Sequence, residues 1–292
     1  MRSVCFKRSA LARIFLYTIA GFVTVWCSVV LCPPSALAQA VLPTAAYPVG
    51  MVQVEFPDPA DGRPLDYLLI YPCAPKSTAT PFKVFMATNL HLYKDAPIVS
   101  DGLKHPLVMF SHGAGGNASG YAWFGEYLAS HGYLVAMAYH YRANTFDSSA
   151  LYVRSRLWQR PRDISLDIFH LLQDKVWGPH IDAKQIGVAG HSQGGFTALW
   201  LGGANINPEQ FLQFQRGWKN NVMVPAYLRA QMRPDANPAL RVRDDRVKAA
   251  FAMAPGDIPG FGMDAAGLRQ MRIPAYIIVG AGDTTTPPKG QR

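Results

Sequence analysis

Gly190-His191-Ser192-Gln193-Gly194, with Gly195 next, sets a serine between two glycines at the spacing G-x-S-x-G. An apolar run at 186–189 precedes it, and Phe196, Leu199 and Leu201 follow in a helical pattern. A serine on a sharp strand-to-helix turn takes a strained backbone and crowds its neighbours, so both flanking positions must lack side chains. Such a turn lifts the hydroxyl above the carboxyl edge of a sheet and aims the first N–H groups of the helix at it. The chemistry this suits is nucleophilic attack on an acyl carbon, with Ser192 as the nucleophile.

A second glycine-rich turn, Ser111-His112-Gly113-Ala114-Gly115-Gly116, follows the apolar run 106–110. Acyl transfer needs donors aimed at the oxyanion that develops on the substrate carbonyl. Gly113 or Ala114 would give one backbone N–H and Gln193 the other. Gly113-x-Gly115-x-x-Ala118 also fits a relaxed dinucleotide fingerprint. Against that, His112 stands before the first glycine, and the next strand ends in His140 and Arg142 rather than an acid. The third signal is Asp283, which follows the run 275–279 through Gly280-Ala281-Gly282. An acid at the end of a late strand can orient a histidine base, although aspartate is also common in turns. Asp257, in a Pro-Gly-rich turn after the preceding strand, is the second candidate, and Asp283 is preferred.

Elements at the right places must carry these residues. Short apolar runs recur at 106–110, 133–139, 185–189, 247–253 and 275–279, as strands buried on both faces of a parallel sheet should. Tyr121, Phe124 and Leu128 share a helical face that Gly132 would end. Ile164, Ile168, Leu171 and Leu172 repeat at helical spacing behind Pro161, which suits a first turn. Residues 52–56 and 65–71 read as leading antiparallel strands. The fold class is α/β. One stretch, 203–246, holds Phe211, Phe214, Trp218 and Tyr227 amid polar residues and prolines and is too long for an ordinary loop. It is either a surface excursion or a cap-like insertion over a substrate pocket.

On these residues the chain resembles the α/β-hydrolase superfamily, and more closely secreted bacterial relatives of dienelactone hydrolase and platelet-activating-factor acetylhydrolase. The matching pieces are 106–116, 121–132, Arg160-Pro161-Arg162-Asp163, 186–195 and 273–288. The resemblance implies a three-layer sandwich around a mostly parallel sheet. It implies a serine hydrolase that cleaves carboxylic esters through an acyl-enzyme, with triad order Ser, Asp, His. Dienelactone hydrolase itself has a cysteine where this chain has Ser192. The family's histidine lies beyond the acid, after one more helix and strand, whereas the last histidine here is His191 and the sequence stops nine residues after Asp283. The expectation is a domain over 39–292 that lacks the last strand and helix, and with them the base. The alternative is a non-catalytic pseudo-enzyme or binding protein. If a base does lie within the chain, His112 and His191 are the first to consider.

Length and composition agree with a globular hydrolase. The 292 residues are 49% hydrophobic and 16% charged, with mean hydropathy near zero, which excludes intrinsic disorder. Arg2, Lys7, Arg8 and Arg13, the apolar run 14–31 and Ala36-Leu37-Ala38 are the three parts of a secretory signal peptide over 1–38. An uncleaved membrane anchor is its rival. Four of the 28 basic residues and none of the 19 acids lie there, so the formal charge falls from +9 to +5 on 254 residues. No basic block with interleaved aromatics remains, and nucleic acid is not an expected partner. Cys73 alone stays with the mature chain, so no internal disulfide can form. With no H-E-x-x-H, no C-x-x-C and no histidine pair at i, i+4, no metal or cofactor is expected. The reading is a periplasmic or secreted esterase whose partner is a small-molecule ester, touching a membrane only if the leader stays uncleaved.

Overall fold

The computed structural model describes residues 44–74, 81–84, 87–235 and 242–284. The signal peptide expected at 1–38 lies outside the described residues. Nine strands make one sheet in the order β3-β4-β1-β2-β6-β5-β7-β8-β9. The strands are β1 (Val49–Pro57), β2 (Pro64–Pro72), β3 (Pro81–Val84), β4 (Ala87–Lys94), β5 (His105–Ser111), β6 (Leu134–Tyr139), β7 (Ile181–His191), β8 (Val247–Met253) and β9 (Ala275–Ile278). From β6 through β9 every pairing is parallel. β1 and β2 form the expected antiparallel pair, and β2 joins the rest antiparallel to β6. β3 and β4 are strands that the pattern of apolar runs does not reveal. They extend the sheet beyond β1, where β4 pairs parallel over only three residues.

The central strands bury both faces, and their side chains alternate between two cores. Leu107 and Met109 of β5, with Leu134 and Ala136 of β6, join Ile164, Ile168 and Leu171 of α2 (Gln159–Gln173) on one side. Phe110, Val135 and Met137 face the other side, where Tyr121, Phe124 and Leu128 pack from α1 (Ala122–Ser130) and the turn before it. Gly132 stands just past α1 at φ +90, the left-handed conformation that ends a helix at low cost. The elbow helix α3 (Gln193–Leu201) is buried along its whole length. Helices on both faces of a mostly parallel sheet make the three-layer α/β sandwich.

The stretch 203–246 contains α4 (Pro208–Asn220) and α5 (Ala226–Gln231). Asn207 caps α4 by accepting from the N–H groups of Glu209 and Gln210, and Pro208 follows at the first helical position. Phe211 is fully buried edge-on against Trp200 of α3, and Phe214 packs on Phe261. This stretch therefore shares one apolar core with the elbow helix α3, β8 and the 258–263 segment.

Candidate active site

Ser192 sits between β7 and α3 at φ 53, ψ −125. That is a costly backbone for a residue with a side chain, about 1–3 kcal/mol, and it persists only where the surroundings enforce it. Here the Ser192 N–H donates to Met253 O of β8 at 2.8 Å, and the Ser192 carbonyl accepts from Phe196 at 3.1 Å. Both glycines of the motif are steric necessities. A Cβ on Gly190 would overlap the Gly194 carbonyl, and one on Gly194 would overlap the carbonyl of Ser111. The second clash shows that the elbow is pressed against the Ser111–Gly116 turn.

The turn at 111–116 stands directly beside the nucleophile. A Cβ on Gly113 would lie 3.3 Å from Ser192 Cβ and 3.4 Å from His191 Nδ1. Buried Arg160 holds the turn from α2: Nη1 donates to His112 O at 2.7 Å and Nη2 to Gly113 O at 3.3 Å. His112 contacts Gly113 O through Nδ1 at 2.7 Å and packs at a tilt against His140, whose Nε2 contacts Ser111 Oγ at 2.7 Å. Burial, then the charge of Arg160, drives His112 down to about 3. His140 is driven far below its usual range by burial first, then by Arg160 and His112. Both imidazoles are neutral at ordinary pH and serve the turn's framework. Of the two donors proposed on the turn, Gly113 is buried and Ala114 is exposed. Both stand beside the elbow, so either amide is placed near the nucleophile. Gln193 is the first residue of α3, where a backbone N–H has no intrahelical acceptor.

Asp283 follows β9, half-buried, with its N–H on Gly280 O at 3.1 Å. Its charge acts on His191, opposing the fall in pKa that burial causes there. His191 Nδ1 in turn lies 2.7 Å from the Tyr121 hydroxyl. Asp257 is exposed and its carboxylate accepts from Gly260 N–H at 3.1 Å, which makes it a turn residue. The structure thus brings Ser192, Gln193, the 113–114 turn, His191 and Asp283 to one end of the parallel strands. All eight histidines lie among the described residues, and none of them is hydrogen-bonded to the Ser192 hydroxyl. Among the described residues no group of three potential metal ligands exists.

Motif reading missed Tyr121, which fixes His191, and the framework role of Arg160. Tyr121 was visible only as part of an apolar face. Arg160 stood in a stretch noted for resemblance, and no local pattern marks an arginine as buried.

With this geometry established, comparison with known proteins is informative. Residues 82–157, covering β5, the glycine-rich turn, α1 and β6, match the family model of platelet-activating factor acetylhydrolase, isoform II. A ferulic acid esterase from Streptomyces cinnamoneus superposes with a TM-score of 0.53 at 21% identity, over 87% of this chain and 70% of that one. The chain has the α/β-hydrolase fold. A Bacteroides ovatus protein classed with dipeptidyl aminopeptidase IV aligns at TM-score 0.47 and 17% identity, over 82% of this α/β-hydrolase chain and 29% of its own. No curated protein matches in sequence.

Proposed function

We propose that the chain is a serine hydrolase of carboxylic esters that works through an acyl-enzyme at Ser192. The observation that carries this is the positive-φ serine on a glycine-flanked elbow, pressed against a second glycine-rich turn. An ester carbonyl placed over Ser192 would meet the amide of Gln193 and that of Gly113 or Ala114 at the position of the developing oxyanion. Ser192 Oγ then bonds to the carbonyl carbon, the alcohol leaves, and water later cleaves the acyl-serine bond. The acetylhydrolase and esterase names of the similar proteins favour an ester over an amide. No histidine among the described residues is hydrogen-bonded to the Ser192 hydroxyl, and hydrolysis by residues 1–292 on their own is proposed to be slow. Donors and binding alone sustain about 10³–10⁴ over water. The alternative is a binding protein that keeps the site without turnover. Residues 1–38 are proposed as an export leader, which places the enzyme in the periplasm or outside the cell.

The two readings separate by mass spectrometry after long incubation with excess alkyl fluorophosphonate. A nucleophile loses its proton, forms an O–P bond and expels fluoride. One adduct on the Ser192 peptide, absent in Ser192→Ala, is expected. No adduct, or an adduct elsewhere, supports the binding protein.

A further inference from the structure

A small polar cleft opens one residue from Ser192, bounded by Arg154, Arg160 and Gln193. Its volume of about 40 Å³ holds about three water-sized groups, the size of a carboxylate and too small for a ring. Arg154 lies in the single 3₁₀ turn Arg154–Arg156. Its guanidinium stacks 4.6 Å from the Trp218 ring centroid of α4, and Nη1 donates to Gln193 Oε1 at 3.1 Å. Its Nε is buried with no acceptor. A guanidinium has five donors, so most of this one's hydrogen-bonding capacity is unspent.

No described acid neutralises it. All 19 acidic residues of the chain lie among the described residues, and no ion pair joins any of them to Arg154. Asp163 reaches the same cleft, but its carboxylate is forked onto Arg63. Burial lowers Arg154 to about 10. Arg160 falls to about 9, by burial first and the charge of Arg154 next. Two neighbouring cations that repel one another, Arg160 buried and Arg154 half-buried, are an unfavourable arrangement in an empty site and a favourable one around an anion. The side chain of Gln193, whose amide faces the reacting carbonyl, ties Arg154 rigidly to the elbow.

We propose that this cleft is an anion subsite that holds a carboxylate carried by the ester substrate, with Arg154 as its principal ligand. The proposal rests on the esterase reading for its substrate and on the cleft alone for its ligand. Two measurements keep these apart. The first compares mono-4-nitrophenyl adipate with 4-nitrophenyl heptanoate, of similar length and without the charge. The full chain should favour the adipate in kcat/KM, mainly through KM, and Arg154→Met should reduce that preference about tenfold or more. The second titrates Ser192→Ala protein with free adipate and with inorganic phosphate, following the fluorescence of Trp218 beside Arg154. Saturable quenching by adipate, weaker with phosphate and lost in Arg154→Met, is expected. If Arg154→Met fails to fold, Arg154→Lys takes its place, since a point charge without the planar fork should lose most of the preference.

Equal use of the two esters, or a preference that survives both substitutions, overturns the proposal and leaves the esterase reading intact. So does adipate binding with no preference for the charged ester, which would make the cleft a site for free anions. If added imidazole brings out no Ser192-dependent cleavage of either ester but Arg154-dependent adipate binding persists, the esterase reading fails and the subsite stands.

Discussion

At Ser192 a single side chain sits in backbone space that glycine usually occupies, and the contacts around it explain why it stays. Gly194 is the tightest of these, since any Cβ there meets the Ser111 carbonyl of the oxyanion turn. Gly194→Ala should cost about 3 kcal/mol or more in urea unfolding and remove whatever Ser192-dependent chemistry the chain has. A variant as stable as the parent would show that the elbow and the turn are not in contact. Arg160→Met should damage function by a different route, releasing the carbonyls of His112 and Gly113 that set the turn's shape. The elbow was legible because its constraint is local: five consecutive residues encode a strand end, a turn and a helix start. The choice between Asp283 and Asp257 was not fully legible, because it depends on which loop comes back to His191. Arg154 was silent in the sequence, since an unpaired half-buried cation is defined by the acids that do not reach it.

The same division runs through the elements. Strands β5 to β9 announce themselves by apolar runs because both of their faces are covered. β3 and β4 lie at the sheet margin, where Pro81, Lys83, Asn89 and His91 interrupt any run, and only strand pairing reveals them. Helix α2 shows what patterning conceals. Its apolar face was legible, yet Arg160, Asp163 and Asp167 are buried too, at helical spacing. Asp163 and Asp58 share Arg63, and Asp58 also takes a fork from Arg162. Asp167 keeps one buried oxygen without a partner. Burial, then the charges of Asp163 and Asp66, raises its pKa well above the usual carboxylate range. Burial likewise pushes Asp66 to about 6. Folded-state values above the unfolded value of about 4 give stability that is full below pH ~4 and lost as pH rises through about 6 and beyond. Asp58, held down chiefly by Arg162, acts in the opposite sense and only below about pH 4. The chain should therefore melt higher at pH 5 than at pH 8. Asp167→Asn should gain about 1 kcal/mol at pH 8 and flatten that difference. An unchanged slope would mean that Asp167 is not the group responsible.

For the molecule as a whole, the sheet's margins set how it associates, and residues 1–38 are proposed to direct its export. Among the described residues no strand pairs with the outer side of β9, where Tyr276 is 65% exposed and Ile278 47%. Phe124, Leu128, Phe251 and Pro274 line an apolar groove alongside it. An open edge beside apolar surface favours association. Light scattering of the 292-residue chain should show concentration-dependent self-association that Tyr276→Lys reduces, and a sharply monomeric parent would contradict this. Export should leave a chain beginning at Gln39, and N-terminal sequencing that returns Met1 from a membrane fraction would point to an anchor instead.

The central claim is that residues 1–292 assemble Ser192 and oxyanion donors that can work with a base supplied from outside. Imidazole added to the reaction can act as that base, and hydrolysis of 4-nitrophenyl butanoate measures the result. In buffer alone the rate should be slow, and Ser192→Ala should change it little. With imidazole the parent should gain a saturable increment of about tenfold or more over Ser192→Ala, part of the 10²–10⁴ that a positioned base contributes. Identical imidazole dependence in the two proteins would contradict the account. So would fast hydrolysis without imidazole that Ser192→Ala abolishes, because a base would then reside in the chain itself, with His191 the first to test.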